Sequence, residues 1–173
     1  MAYPPNTTTN HFSIAPAYIF KGKNIISRVK ENIIHLGNCS LIVGRYTTLP
    51  LISTHLKTIL RECKEIDIIS KSYSPECSDN SLRSLTYLVK ESKVNIVIGV
   101  GGGKALGMAK ILAHYNKLPV FTTPISGITC AAWTALSNIY INQGVDISIL
   151  DYSIIRTAPQ RTLVASIGDF IAK

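Results

Sequence analysis

The sequence predicts an α/β fold: a parallel sheet covered by helices on both faces. Three observations carry this. Strand-like and helix-like stretches alternate along most of the chain, the strands read as near-continuous apolar runs, and one strand ends in a glycine turn that opens a helix. With 173 residues, 46% of them hydrophobic and 16% charged, the chain has the length and composition for one domain with its own core.

Residues 1–12 read as a polar leader, most polar from Asn6 to Asn10. Ala17 to Lys21 looks like a short strand. From Asn24 to Leu36 the chain is amphipathic, with Ile25, Ile26, Val29, Ile33 and Ile34 at helical spacing. Ser40 to Val43 reads as a strand, and Leu49 to Arg61 as a helix with Leu51, Ile52, Leu56 and Leu60 on one side. Ile66 to Ile69 continues as a strand, and Asp79 or Asn80 can cap a helix running to about Ser92. Asn95 to Val100 is the strand that enters the glycine turn, followed by a helix from Lys104 to about His114, a strand from Val120 to Thr123, and a loop beginning at Pro124. Beyond it the alternation weakens. Ala135 to Ile141 and Ile147 to Leu150 look strand-like, and Ala158-Pro159 announces a helix start. A helix beginning near Gly168 would have only a turn or so before Lys173.

Composition narrows the function classes. The net charge of +8 comes from Lys and Arg dispersed along the chain, without a basic run interleaved with aromatics, so no nucleic-acid partner is expected. Such a surface attracts anionic cofactors or substrates. No apolar run reaches the roughly 18 residues of a membrane span, and the N-terminus lacks a basic-then-apolar signal pattern, so a cytoplasmic protein with no membrane partner is expected. Cys39, Cys63, Cys77 and Cys130 show no metal-ligand spacing and read as reduced thiols.

The run from Asn95 to Ala113 is the most informative. A buried strand delivers the chain to Gly101-Gly102-Gly103, where no Cβ blocks a ligand, and the next helix presents its unpaired N–H groups and positive dipole end there. A phosphate fits such a place. The alternative is a turn that uses glycine only for its backbone freedom.

Three runs, Gly99 to Lys104, Thr129 to Tyr140 (TCAAWTALSNIY) and Arg156 to Asp169 (RTAPQRTLVASIGD), together resemble the glycerol dehydrogenase branch of the iron-containing alcohol dehydrogenase superfamily. The Cys-Ala-Ala-Trp-Thr core is most similar to the members that act as hydroxycarboxylate dehydrogenases. The resemblance runs from about Ser13 to Lys173 and implies the N-terminal half of a member. It implies a Rossmann-like doubly wound parallel sheet of the dehydroquinate synthase-like type over residues 13–166, binding NAD or NADP. Residues 167–173 would start an all-helical second domain that is otherwise absent from this chain.

Carried over by position, Gly102, Gly103 and Lys104 would meet the pyrophosphate and nearby ribose, and Thr134, Leu136 and Tyr140 would line the nicotinamide side. Asp169 would be one ligand of a divalent metal (Zn, Fe or Mn), completed in the family by two histidines of the helical domain. The implied reaction interconverts a hydroxyl and a carbonyl on a small 2-hydroxy or 2-oxo acid, or on a polyol such as glycerol. Read without the family, Lys104 is a phosphate-neutralising or solvated lysine, Trp133 and Tyr140 are core aromatics, and Asp169 is a helix cap. The histidines His11, His35, His55 and His114 form no HxxxH pair and lie far from Asp169 in sequence.

Several positions depart from the family pattern. Cys130 stands where glycerol-preferring members carry a substrate-contacting aspartate, so it is a candidate substrate-side contact and glycerol is not the first expectation. Val145 alone replaces a longer family segment between Gly144 and Asp146, and Ile125 and Ile128 replace small or hydroxyl residues. Arg45 follows a strand where NAD-preferring relatives often place an aspartate, and a cation there suits the 2′-phosphate of NADP. The competing expectations for this chain are a catalytically silent dinucleotide-binding fragment or a structural remnant. Apolar surface left by the absent domain implies a homo-oligomer.

Overall fold

The computed structural model describes residues 16–61, 66–73, 77–126, 129–134 and 145–171. Its strands are β1 (Tyr18–Gly22), β2 (Cys39–Arg45), β3 (Asp67–Tyr73), β4 (Ile96–Gly101), β5 (Val120–Pro124) and β6 (Ile147–Asp151). The helices are α1 (Ile26–Leu36), α2 (Leu49–Arg61), α3 (Asp79–Glu91), α4 (Gly103–Asn116), α5 (Tyr152–Ile155) and α6 (Gln160–Ile171), with a 3-10 turn at Cys130–Ala132. Strands pair in the order β1-β6-β5-β4-β2-β3, and every pairing is parallel. The doubly wound sheet expected from the alternation is therefore present.

Side chains alternate across a pleated strand, so a sheet covered on both faces needs apolar residues at every position of its central strands. β4 meets this demand and is buried throughout. Its Ile96, Ile98 and Val100 join Ile26, Val29 and Ile33 of α1 and Ile52 and Leu56 of α2 on one face. On the other face Val97 joins Leu41 and Val43 of β2, Leu85 and Val89 of α3, and Met108 and Leu112 of α4. Gly99 lets α4 lie close against the sheet, since a Cβ there would sit 2.6 Å from the Ala109 Cβ.

The strand order also creates a crevice. From β2 the chain winds outward to β3, whereas from β4 it winds the opposite way to β5 and β6. Loops leaving the carboxyl ends of β2 and β4 therefore diverge, and open α/β sheets bind ligands at such a reversal.

Three expectations need correction. The cap of α3 is Ser78, whose hydroxyl accepts from the Ser81 N–H at 3.3 Å, while Asp79 lies in the first turn instead. A hydroxyl one residue earlier, in extended conformation, is better aimed at the orphan N–H groups than a side chain already inside the helix. No helix begins near Gly168: α6 starts at Gln160, just after Pro159, and runs through Gly168 and Asp169. Asp169 is thus inside a helix rather than capping one. The short helix α5 was not anticipated. It is capped by Asp151, which is fully buried and whose carboxylate accepts from Ser153 N–H at 2.9 Å, Asn24 N–H at 3.0 Å and Ile26 N–H at 3.2 Å. One aspartate thereby joins the end of β6 to the start of α1. The polar leader and the strand expected at Ala135 to Ile141 lie outside the described residues.

Candidate functional site

The crevice is floored by the glycine turn. Gly101 has φ +138°, and a Cβ on it would approach Ala105 Cβ to 2.9 Å, so both its backbone conformation and its surroundings demand glycine. Gly102 is different: its φ of −86° suits any residue, and a Cβ there would meet nothing within 4 Å. The open space lies on the ligand side of the turn. Gly102 is the N-cap of α4 and has no side chain to satisfy the helix's first N–H groups, while its own carbonyl accepts from Ala105 at 3.0 Å and Leu106 at 3.1 Å. Orphan N–H groups and the positive end of a helix dipole therefore face the crevice, where an anion offsets both.

Around this turn lies a cleft of about 280 Å³, lined by Arg45, Thr47 and Thr48 after β2, by Gly102 to Ala105, by Ile125 and Ser126 after β5, and by Thr162 of α6. A neighbouring cavity of about 410 Å³ shares Arg45, Thr47, Thr48, Ile125 and Thr162, and adds Ile52, Thr157 and Arg161. The structure thus brings together Gly102, Gly103, Lys104 and Arg45, four of the residues expected to bind cofactor. Lys104 is exposed in the first turn of α4, and Arg45 is half-buried as the last residue of β2. A larger groove, about 460 Å³, lies on α3 and α4 around Leu82, Tyr87 and Tyr115 and holds none of the expected residues.

The segment 129–134 closes one side of the turn. Thr129 caps the 3-10 turn by accepting from Ala131 N–H at 3.2 Å, and a Cβ on Gly103 would lie 3.2 Å from the Thr129 hydroxyl. Cys130 is exposed and Thr134 half-buried on this segment. Leu136 and Tyr140 lie outside the described residues, as do Cys63 and Ile128. Asp169 follows Thr162 by about two helical turns, roughly 10 Å along α6. Among the described residues no group of three or more His, Cys, Asp or Glu could hold a metal ion. No described helix is long and apolar enough to cross a membrane.

Sequence reasoning passed over Lys110. It sits in the third turn of α4, is 1% exposed, and donates from Nζ to the Thr134 carbonyl at 3.0 Å. Burial pushes its pKa down to about 8, opposed by the nearby Cys130 thiol. A single lysine within the apolar run Ala105 to Ala113 was the signal that marks it.

Comparison with known proteins now bears on this geometry. The family described as iron-containing alcohol dehydrogenase matches residues 16–158. A glycerol dehydrogenase of Escherichia coli O6:H1 is 30% identical over 171 residues, covering 91% of this chain and 46% of the relative. Hydroxycarboxylate dehydrogenase A of Escherichia coli K12 is 37% identical over 108 residues, covering 56% of this chain and 30% of the relative. In three dimensions the chain superposes on the crystal structure of a glycerol dehydrogenase from Schizosaccharomyces pombe with a TM-score of 0.81 at 22% identity, covering 96% of this chain and 44% of that one. The chain spans less than half the length of each of these proteins.

Proposed function

The chain belongs to the iron-containing alcohol dehydrogenase family, and on that premise we propose that it is the nucleotide-binding part of an NAD(P)-dependent oxidoreductase interconverting a hydroxyl and a carbonyl. One observation carries the reading: the open Gly102 position and the start of α4 lie at the sheet's reversal point, beside Arg45. A dinucleotide pyrophosphate would rest on the N–H groups of the first turn of α4, with Lys104 adding positive charge. Arg45, Thr47 and Thr48 would receive the adenosine ribose, and Cys130 and Thr134 would stand on the nicotinamide side, joined there by Leu136 and Tyr140. A bound nicotinamide supplies the hydride acceptor or donor. The residues of this chain bind and orient it.

The substrate we propose is a small 2-hydroxy or 2-oxo acid, or a polyol such as glycerol. The likeness to relatives named for hydroxycarboxylates and for glycerol supports this class. Cys130, standing where glycerol-preferring members carry an aspartate, favours the acids. For a divalent metal, Zn, Fe or Mn, this chain offers Asp169 as one ligand. Among the described residues no group of three or more ligating side chains completes such a site. Val164, Ile167 and Ile171 form an exposed apolar stripe on α6, which supports self-association.

Isothermal titration calorimetry of the chain with NADP and with NAD tests the proposal. Binding of one dinucleotide per chain is expected. In Gly102→Ala the added methyl enters open space in the free protein, so the fold stays within about 1 kcal/mol while dinucleotide affinity falls. Absence of binding heat with both cofactors, or full affinity in Gly102→Ala, overturns the assignment of the turn.

A further inference from the structure

An ammonium group is costly to bury, and α4 buries Lys110 in a helix whose neighbours from Ala105 to Ala113 are all buried too. Its hydrogen bond shows what the amine holds. Segment 129–134 is fastened from three directions: the Thr122 hydroxyl on β5 donates to the Ala132 carbonyl, Thr129 caps the turn at Ala131, and Lys110 Nζ reaches the Thr134 carbonyl at 3.0 Å. The first two fix the middle and the start of the segment. Lys110 fixes its far end, where Thr134 N–H also donates to the Cys130 carbonyl at 3.0 Å. Because Thr129 abuts Gly103, the position of the whole segment relative to the glycine turn depends on these anchors.

We propose that Lys110 is a positioning residue whose buried Nζ ties Thr134 to α4 and so sets the segment carrying Cys130 and Thr134 against the glycine turn. The proposal rests on the dinucleotide reading of that turn, because only a ligand spanning turn and segment makes their spacing matter. Replacing Lys110 leaves the Thr134 carbonyl without this donor. Losing this hydrogen bond in a dry site is sufficient to weaken a ligand that needs the segment in place by roughly tenfold.

Proton linkage gives the tie a signature that packing lacks. With the segment down, burial holds Lys110 near 8; with it lifted, water returns the amine to the ordinary lysine range of about 10.4. The seated state binds fewer protons in that window, so raising the pH through it draws the segment down. Among the described residues the Cys130 thiol is a titratable group whose charge bears on Lys110. The cluster packed by α4 holds Leu41, Val43, Val97, Val120, Leu85 and Val89, and with them the titratable Cys39 of β2 and Tyr73 of β3.

Trp133 is the single tryptophan of the chain and neighbours Thr134, so its emission and quenching by acrylamide report the segment without any ligand. These are followed from pH 7 to 10 in the unaltered chain, Lys110→Met, Lys110→Arg and Cys130→Ser, with NADP affinity measured by calorimetry at about pH 9.5, where the seated amine is neutral. Quenching in the unaltered chain is expected to fall in a step that begins near pH 8 and lies between there and the ordinary lysine range, and Cys130→Ser is expected to keep that step. In Lys110→Met quenching is expected to be higher and independent of pH, and NADP binding roughly tenfold weaker, with partial recovery in Lys110→Arg. Unchanged quenching and affinity in Lys110→Met overturn the proposal, as does loss of the step in Cys130→Ser. If Lys110→Met does not fold, the unaltered chain decides: a flat profile overturns the proposal and a step retained in Cys130→Ser supports it. Should Trp133 respond as expected while neither NADP nor NAD binds, the tie stands and the cofactor reading fails. The reverse pattern, binding that ignores Lys110→Met, removes the tie and leaves the cofactor.

Discussion

Arg45 and Asp151 show how differently two charged strand-end residues are used. Asp151 is fully buried and spends its carboxylate on three backbone N–H groups, so it pins α1 and α5 to the sheet and has little left for a ligand. Arg45 ends β2 half-buried and lines both cavities of the crevice, with Arg161 lining the second. A guanidinium suits the 2′-phosphate of NADP, whereas a carboxylate at a strand end suits the bare ribose hydroxyls of NAD. The unaltered chain is therefore expected to bind NADP more tightly than NAD. Arg45→Asp should shift the ratio of the two dissociation constants toward NAD by one to two orders of magnitude, the worth of a charge-assisted hydrogen bond at roughly 1.5–3 kcal/mol. Parallel titrations with both cofactors check it, and an unchanged ratio removes Arg45 from cofactor selection.

At the scale of elements, the β4–turn–α4 unit does most of the positioning. Its geometry relies on Gly99, where an added methyl would sit 2.6 Å from Ala109 Cβ, one rigid methyl against another rather than against the far end of a flexible side chain. Gly99→Ala should push α4 off the sheet and cost about 1–3 kcal/mol in a denaturant titration, the usual penalty for overpacking. A midpoint unchanged from the parent would mean that α4 can slide freely. Much of this unit was legible in the sequence. The alternation of apolar strands and 3.6-period helices predicted all of the strands and helices from β1 to β5, and α2 falls on Leu49–Arg61 as expected, because local patterning and burial agree there. What was illegible lay where tertiary partners decide. Ser78 rather than Asp79 caps α3 because of its extended backbone, α5 exists because a buried Asp151 caps it, and Lys110 looked like an ordinary helical lysine until its acceptor on a distant segment was known. For the site, glycine spacing exposed the open turn and Ala158-Pro159 announced the start of α6 at Gln160, whereas the entry of Arg161 and Thr162 into the crevice follows from how α6 packs, which no local pattern states.

For the molecule as a whole, three buried ionisable groups set opposing trends in stability with pH. Lys110 is pushed down to about 8 by burial, so the folded chain gives up this proton before the unfolded chain does. Between about pH 8 and the ordinary lysine range the unfolded state binds more protons, and stability contributed by Lys110 rises with pH. Cys39 is raised by burial and by the nearby Asp67, and Tyr73 is raised by burial and by its hydrogen bond with Cys77. Both keep their protons in the folded state after the unfolded chain has lost them. Their contribution is complete below their ordinary values, 9.0 for the thiol and 10.0 for the phenol, and declines as pH climbs above them. The urea midpoint should therefore increase from pH 7.5 to about 9 and turn downward beyond about 10. Lys110→Met should abolish the rise and keep the fall, since among the described residues it removes the group whose proton is held more tightly by the unfolded chain. A folded Lys110→Met chain whose midpoint still climbed through pH 8 would show that the lysine is solvated in the native state, and that some other group accounts for the rise.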